Sequence, residues 1–272
     1  MKIQQLNRLY MLRFRITLGV LLAALLPTYG LAQGHRGLGE PALDRSLMEL
    51  PAISQNDVIL VYNGFVVNYN TKWLIPNWVA YELTAEEVAG QVSRRKGFGM
   101  DMDYTGKQAM REDYSSTGWD KGHMAPSADM KWSQASMNES FYLTNICPQN
   151  RDLNGRDWHT LEKRIRDWAI AYGSVWVVCG PIVNENKYGT IGLQEVVVPD
   201  GFFKAVLRRD GRYYKAIAFL FENDNRKQSF KDVIVTVDEV EALIGYDLFT
   251  NLRDRIESKV ESQANLSDWE NQ

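Results

Sequence analysis

The positions of apolar residues along the chain predict an α+β fold. Short runs rich in β-branched and aromatic residues are typical of buried strands. Such runs occupy residues 58–67, with Asn63-Gly64 as a turn signal, and residues 78–83, 141–146, 175–179, 202–208 and 213–221. Because these runs do not alternate regularly with helical segments, we expect a central, mostly antiparallel sheet flanked by helices.

Helical periodicity is clearest over residues 157–172. Apolar residues recur there at spacings of three and four and form one stripe, made by Trp158, Leu161, Ile165, Trp168 and Tyr172. Thr84 suits the N-cap of a short helix, and a further helix is predicted from residue 237 to 243 with Gly245 as its stop. Residues 94–120 are polar and irregular, which is typical of a long connection with a functional reason to exist.

The first 32 residues have the pattern of an export signal. Basic residues precede an apolar run at residues 16–26, and Gly30 and Ala32 supply small side chains before a cleavage point. The run is shorter than the roughly 20 residues that span a bilayer. We therefore expect cleavage near Ala32, a secreted or periplasmic protein, and no membrane contact in the mature form.

The remaining chain divides into three parts on composition. Residues 33–56 mix Gly, Pro and charge without periodicity and are predicted to be an extended lead-in. Residues 57–258 hold all the predicted elements and form the expected domain, and residues 259–272 are a polar C-terminal tail. The 34 acids and 31 bases give a net charge of −3, so any site for a polyanion must be local.

Cysteine and histidine are scarce. The chain has two cysteines, Cys147 and Cys179, and three histidines. This is a small supply of the ligands that zinc favours, so a structural zinc site is not expected. Whether the two cysteines form a disulfide or remain buried thiols is left open.

Two segments carry candidate chemistry. Residues 119–126 read WDKGHMAP and place His123 after the polar connection, and residues 144–154 read TNICPQNRDLN. A lone histidine is a weak signal, since a histidine is more often structural than catalytic. The second segment adds Asn145 and Asn154 and leads directly into the predicted helix.

Together these segments resemble the signature of the DNA/RNA non-specific endonucleases, the ββα-metal family that includes secreted bacterial nucleases and mitochondrial endonuclease G. The family pattern is Asp-Arg-Gly-His, then about thirty residues later an Asn on the metal, then Glu and Arg eight and twelve positions further. His123, Asn154, Glu162 and Arg166 keep this register, and Asn154 lies 31 positions after His123. The similarity covers roughly residues 58–250 and implies the ββα-metal fold.

The resemblance and the chemistry of phosphodiester hydrolysis together suggest a role for each residue. Neutral imidazole accepts a proton near pH 7, so His123 is the predicted general base. Asn154 is the implied direct ligand of one Mg²⁺, for which Mn²⁺ or another divalent cation could substitute, and Glu162 holds the same ion through water. Asn145 is implied to support the histidine, and Arg166 to act on the phosphate or to order the acidic group.

Structural alternatives accompany these roles. Asn154 could be an ordinary N-cap and Asn145 a buried turn residue. Glu162 and Arg166 could be an exposed ion pair, worth only about 0.3 to 0.5 kcal/mol.

The chain departs from the family pattern in its basic residues. Lys121 stands where the family has Arg, which replaces a planar guanidinium by a point charge. For a second family Arg, we choose Arg95, with Arg94 and Lys96 as alternatives. The expected substrate-binding cleft is basic and is formed by Arg94, Arg95, Lys96, Lys121, Arg151, Arg156 and Arg166; His159 is left as a surface residue.

The predicted function is a Mg²⁺-dependent endonuclease that hydrolyses DNA and RNA with little sequence preference. No base-reading motif is present, and contacts to phosphate carry no sequence information. The rival is a nuclease-like nucleic-acid-binding protein that has lost turnover, and a third option is a phosphodiesterase acting on small nucleotides. A homodimer and an inhibitor protein are both left open.

Overall fold

A computed structural model describes residues 48–270, so the predicted signal segment and residues 33–47 of the predicted lead-in lie outside the described residues. The strands are β1 (Val58–Val61), β2 (Val66–Asn70), β3 (Ile75–Thr84), β4 (Asp120–His123), β5 (Ile146–Gln149), β6 (Ser174–Ile182), β7 (Thr190–Ile191), β8 (Val196–Val197), β9 (Gly201–Asp210), β10 (Tyr213–Glu222) and β11 (Ile234–Val235). The α-helices are α1 (Ala85–Val88), α2 (Gln134–Glu139), α3 (His159–Tyr172), α4 (Val237–Ile244), α5 (Asp254–Glu261) and α6 (Ser267–Glu270).

Seven strands form one antiparallel sheet in the order β1-β2-β3-β6-β9-β10-β11. Two short antiparallel pairs, β4-β5 and β7-β8, stand outside this sheet. Helix α3 packs on β3, β6 and β9, whereas α4 and α5 pack on β10. The architecture is the α+β arrangement that the apolar pattern predicts.

Several local predictions agree with the structure. The turn signal at Asn63-Gly64 lies between β1 and β2, which pair as a hairpin. Thr84 caps α1 with a full capping box, because its hydroxyl accepts from the Glu87 amide while the Glu87 carboxylate accepts from the Thr84 amide. Gly245 ends α4 in the left-handed conformation, with φ of 71°.

The strand predicted over residues 141–146 is wrong. A 3₁₀ turn covers Leu143–Asn145, and the strand runs over Ile146–Gln149 instead. The side chain of Asn145 explains the difference: its amide group donates to the carbonyls of Ala125 and Ser140, and its oxygen accepts from the Ala125 amide. A side chain that bonds three backbone groups competes with a strand ladder.

The helix that is predicted over residues 157–172 begins earlier in the structure. The chain is already helical at residues 151–152, and a π turn follows over Leu153–Trp158 before α3. Asn154 therefore lies inside this turn and not at an N-cap. A π turn holds one residue more than a regular helical turn and is frequent at functional sites.

The domain extends past the predicted boundary at residue 258. That boundary falls inside α5, and Trp269 in the predicted tail is only 3% exposed. The ring of Trp269 lies 4.6 Å from that of Trp168 on α3, measured between centroids. At the other end, Met48 and Leu50 are buried although the lead-in is predicted to be extended. Within residues 48–270, every helix is too short or too polar to cross a bilayer.

Candidate active site

Strands β4 and β5 and the helix that follows form the unit that carries the predicted motif. His123 pairs with Ile146 and Asp120 pairs with Gln149 across the two strands. Gly122 lies between them, and a Cβ atom at this position would collide with the side chain of Gln149. The glycine of the motif is therefore required by the packing of this ribbon.

His123 ends β4 in an aromatic environment. Its ring lies 4.9 Å from that of Phe141 and 5.2 Å from that of Phe98, and the residue is 9% exposed. Its Nε2 has no hydrogen-bond partner among the described residues. Burial, with a smaller contribution from Arg94, lowers the pKa of His123 to about 3. The imidazole is therefore neutral at physiological pH, and its Nε2 is enclosed by the protein.

Asp120, at the other end of β4, orients the side chain of Asn154. The Asn154 Nδ2 atom donates to the Asp120 carboxylate at 3.2 Å. Because an ionised carboxylate only accepts hydrogen bonds, the atom that faces it must be the amide nitrogen. The Asn154 oxygen then points elsewhere, and it accepts no hydrogen bond from a described residue, so it is available to a cation.

The helix contacts both ends of β4. Asn154 bonds Asp120 at the start of the strand, and Trp158 donates from its indole to the His123 carbonyl at 3.4 Å. Both helical residues lie within the π turn. His123 and Asn154, which come from separate stretches of the chain, are thereby held to the same short strand.

Glu162 lies one turn after Trp158 and is buried, with 8% exposure. It accepts no hydrogen bond from any residue in the range 48–270, and it forms no ion pair with Arg166. Burial raises the pKa of Glu162 to about 7, the positive charge of Lys204 opposes this rise, and the carboxylate of Asp129 reinforces it. A buried carboxylate without protein donors is a suitable partner for the water shell of a cation.

Lys204 is a fully buried cation beneath this helix. It lies in the middle of β9, and its Nζ is 4.4 Å from the centroid of the Trp158 ring. Its charge acts on Glu162 and, to a smaller extent, on Asp129. Lys204 therefore helps to keep Glu162 ionised.

Arg166 pairs with Asp129, not with Glu162. The Arg166 guanidinium donates to the Asp129 carboxylate at 2.7 Å, and Tyr81 donates to the same carboxylate at 3.0 Å. The side chains of Arg166 and Asp129 are 14% and 1% exposed. The structure thus excludes an exposed i,i+4 pair, and Arg166 orders a buried acid beside Glu162.

Of the upstream basic residues, Arg94 and not Arg95 lies at the site. The Arg94 guanidinium bonds the Ser127 hydroxyl and lies 4.9 Å from the ring of Phe141, which also contacts His123. Arg95 instead donates to the Asn138 carbonyl at 2.8 Å and lies near Tyr142. Arg94, which Sequence analysis gave as an alternative, therefore replaces Arg95 as the candidate for the second family Arg.

Lys121 shares an aromatic neighbour with His123. Its Nζ is 5.0 Å from the centroid of Tyr114 and 5.9 Å from that of Phe98. Burial, with a contribution from the nearby Arg111, lowers the pKa of Lys121. The lysine lies close to the predicted base, as the motif requires.

The other predicted cleft residues are less central. Arg151 is 80% exposed and pairs with Asp120 at 3.3 Å. Arg156 is turned away, since it bonds Asp157 and the carbonyls of residues 225 and 226. Lys96 and His159 are exposed.

Asn145 and the two cysteines were left with alternatives, and the structure shows the contacts of each. Asn145 is fully buried and its bonds to Ala125 and Ser140 fix the loop that follows His123. Cys147 and Cys179 are both buried free thiols. Cys179 donates to the Met124 carbonyl at 3.2 Å, directly after the histidine.

Sequence analysis missed Asp129, Lys204 and the role of Asp120. Lys204 had one usable signal, since it is the one charge within the apolar stretch of residues 202–207 and a strand buried on both faces would enclose it. Asp129 had no signal, because its partner Arg166 lies 37 positions away.

The fold and the site together define a ββα-metal nuclease. Residues 48–255 match the family model described as DNA/RNA non-specific endonuclease. The chain belongs to this family of hydrolytic endonucleases, as the motif predicts. A solved structure of EndoG bound to EndoGI matches with a TM-score of 0.69 and 27% identity, covering 78% of this chain and 92% of that one.

Curated relatives include two mitochondrial nucleases. Nuclease EXOG of Danio rerio is 34% identical over 168 residues, which is 58% of this chain and 49% of that protein. Endonuclease G of Homo sapiens is 33% identical over 169 residues, 58% of this chain and 56% of that protein. A nuclease of Nostoc sp. is 28% identical over 224 residues, 78% and 80% of the two chains. The chain spans about half the length of the EXOG relatives that it matches.

These names contradict the predicted secreted or periplasmic localisation. The relatives EXOG, Endonuclease G and the Schizosaccharomyces pombe Nuclease 1 are all named as mitochondrial proteins. The prediction was based on residues 1–32, which lie outside the described residues.

Proposed function

We propose that the protein is a Mg²⁺-dependent endonuclease that cleaves DNA and RNA with little sequence preference. The observation that carries the proposal is the attachment of Asn154 and of the helix beside His123 to the two ends of β4. One neutral base and one free amide oxygen are thereby fixed relative to each other. Because the charged groups around them suit phosphate and residues 48–270 contain no base-reading element, sequence preference is expected to be weak.

The donor set fits a hard divalent cation. Asn154 would hold the ion through its amide oxygen, which no described residue occupies, and Glu162 would hold it through water. Mg²⁺ favours oxygen donors, keeps several waters and takes few protein ligands. When bound, the ion supplies positive charge to the phosphoryl oxygens and to the departing oxygen.

The chain's own residues bind the substrate and move the proton. Arg94 and Lys121 neutralise the phosphate, while Arg166 holds Asp129 in place behind Glu162. The His123 imidazole accepts a proton from the water that attacks phosphorus, the bond to the 3′ oxygen breaks, and that oxygen takes a proton from solvent water. The products carry a 5′-phosphate and a 3′-hydroxyl group.

Substitution of His123 tests the proposal. Purified protein is incubated with plasmid, with a long RNA and with a dinucleotide ester, each with Mg²⁺ and with chelator. We expect cleavage of both polymers only with the metal, and a ~10² to 10⁴-fold lower rate in His123→Ala, because the general base is lost. His159→Ala is the matched control, since His159 is exposed on α3 and should leave the rate nearly unchanged.

Three outcomes contradict the proposal in different ways. Full activity of His123→Ala removes the histidine from the mechanism. Salt-sensitive binding without cleavage indicates a nuclease-like binding protein. Cleavage of the dinucleotide ester alone indicates a phosphodiesterase for small nucleotides.

A further inference from the structure

Three carboxylates converge at a place remote in sequence from the active site. Asp238 and Glu241 lie on α4 and Glu261 ends α5. One oxygen of each residue lies within 4.8 Å of the others. Neither helix supplies a residue to the nuclease site, which is built from β4, the π turn, α3 and β9.

Glu261 provides an independent sign that a ligand belongs here. The residue is only 3% exposed, and its Oε1 atom is buried without a hydrogen-bond partner among the described residues. A buried polar atom that is left unpaired costs free energy, so such atoms are rare unless an ion or water completes them. The residue that carries this unpaired oxygen is one of the three carboxylates of the group.

No base compensates this negative charge within residues 48–270. None of the three carboxylates forms an ion pair there, and the one hydrogen bond to the group is from the Leu248 amide to Glu241 at 2.7 Å. Burial and the carboxylate of Glu241 raise the pKa of Glu261 to about 9. This rise reflects how unfavourable an uncompensated charge is at that position.

We propose that Asp238, Glu241 and Glu261 bind a calcium ion that joins α4 to α5. Ca²⁺ takes six to eight oxygen ligands at about 2.3 to 2.6 Å, so an ion between oxygens less than about 5 Å apart can contact all of them. Mg²⁺ requires distances near 2.1 Å and octahedral geometry, which widely spaced carboxylates satisfy less well. Zinc sites favour nitrogen and sulfur ligands, which the cluster does not contain.

The site is tested by calcium binding to the full chain carrying Asn154→Ala. That substitution removes the proposed direct metal ligand of the nuclease site. Calcium binding that remains in this variant is therefore assigned to the carboxylate cluster. After chelator treatment, titration calorimetry should give one Ca²⁺ per chain, with a dissociation constant on the order of 10⁻⁵ to 10⁻³ M. At a calcium concentration a hundredfold above that constant, Tm should rise by roughly 5 to 10 °C.

Adding Glu261→Gln should abolish both signals, and adding the exposed Glu195→Gln should change neither. If Glu261→Gln does not fold, Asp238→Asn at an exposed position of the cluster should weaken binding about tenfold, because one charged ligand is lost. No calcium binding in the Asn154→Ala chain, or binding that survives both cluster variants, overturns the proposal. Equal affinity for Mg²⁺ overturns the assignment to calcium. Neither readout depends on cleavage, so failure here leaves the proposed nuclease activity untouched.

Discussion

His123 is a buried imidazole that the fold holds in its neutral form. Phe98 and Phe141 flank the ring, and the nearby Arg94 adds positive charge, so protonation is unfavourable in the folded protein. In the unfolded chain the same ring titrates near its ordinary pKa of about 6.5. The two states therefore differ in bound protons between pH 6.5 and about 3.

This difference predicts that His123 makes the free energy of unfolding fall as the pH is lowered, and that His123→Gln removes this contribution. Below pH 6.5 the unfolded chain binds a proton at this residue and the folded chain does not, so stability falls as the pH is lowered. Between pH 7.5 and pH 5 the loss from this one group is about 2 kcal/mol, at 1.36 kcal/mol per pKa unit. Urea unfolding at both pH values measures this. The free energy of unfolding should fall between pH 7.5 and pH 5 by about 2 kcal/mol less in the variant than in the wild type.

His159→Gln is the comparison, because partial burial and the nearby Arg166 and Lys163 also lower the pKa of His159, and the effect of His123→Gln should exceed that of this variant. Buried acids such as Glu162 change stability in the opposite direction over the same range, so only the difference between proteins is informative. An equal pH dependence in the wild type and His123→Gln would contradict a buried neutral histidine.

The sequence supports a prediction of the central site residues, but it does not show which residues they contact. Motif spacing and helical periodicity can be read directly from the sequence, and together they give the register of His123, Asn154, Glu162 and Arg166. The choice between Arg94 and Arg95 depends on which side of an irregular segment faces Phe141, and no periodicity reports that. The amide orientation of Asn154 depends on Asp120, which is 34 residues away.

The loop containing Asp129 is fastened to α3 by one buried ion pair. Arg166 reaches it from the helix, and Tyr81 on β3 binds the same carboxylate. Removal of one member leaves the other charge buried without compensation, which costs far more than the pair contributes.

Arg166→Ala is therefore expected to lower the free energy of unfolding by about 3 to 5 kcal/mol. Arg164→Ala, two residues earlier on the same helix, removes an exposed contact to Asp167 at 3.9 Å and should cost less than about 1 kcal/mol. Urea unfolding of the two variants measures the contrast. Equal losses would show that the Asp129 pair is not a buried interaction.

The elements that sequence analysis mistook are those whose backbone is determined by side chains elsewhere. The run at residues 141–146 is apolar enough for a strand, yet the bonds made by Asn145 bend it into a turn. The helix was placed at residue 157 because its apolar stripe begins there, whereas the π turn over Leu153–Trp158 has no periodic signal. Apolar periodicity therefore predicted β3, β6, β9, β10 and α4 well, and failed where polar contacts decide.

The C-terminal helix α6 completes the core on the far side of α3. Trp269 packs against Trp168, and the Arg208 guanidinium lies 5.2 Å from the Trp269 ring. Composition alone suggested a solvated tail, because one tryptophan among polar residues is a weak signal.

Trp269→Ala should destabilise the protein by about 3 to 5 kcal/mol, since a large buried ring is removed and a cavity remains. Leu193→Ala is the control, because Leu193 is 96% exposed. Thermal unfolding of both variants tests whether residues past 258 belong to the folded domain. A Tm unchanged by Trp269→Ala would show that the residues past 258 are a tail and not part of the folded domain.

Because Lys204 is buried in β9, the positive charge beside Asp129 and Glu162 depends on the assembly of the sheet. Asp129 and Glu162 are sealed in the interior together with a cation that belongs to a strand encoded well after both of them. Until β9 docks between β6 and β10, that cation is missing and the acids face solvent. A chain in which β9 has not yet docked therefore lacks this positive charge beside the two acids.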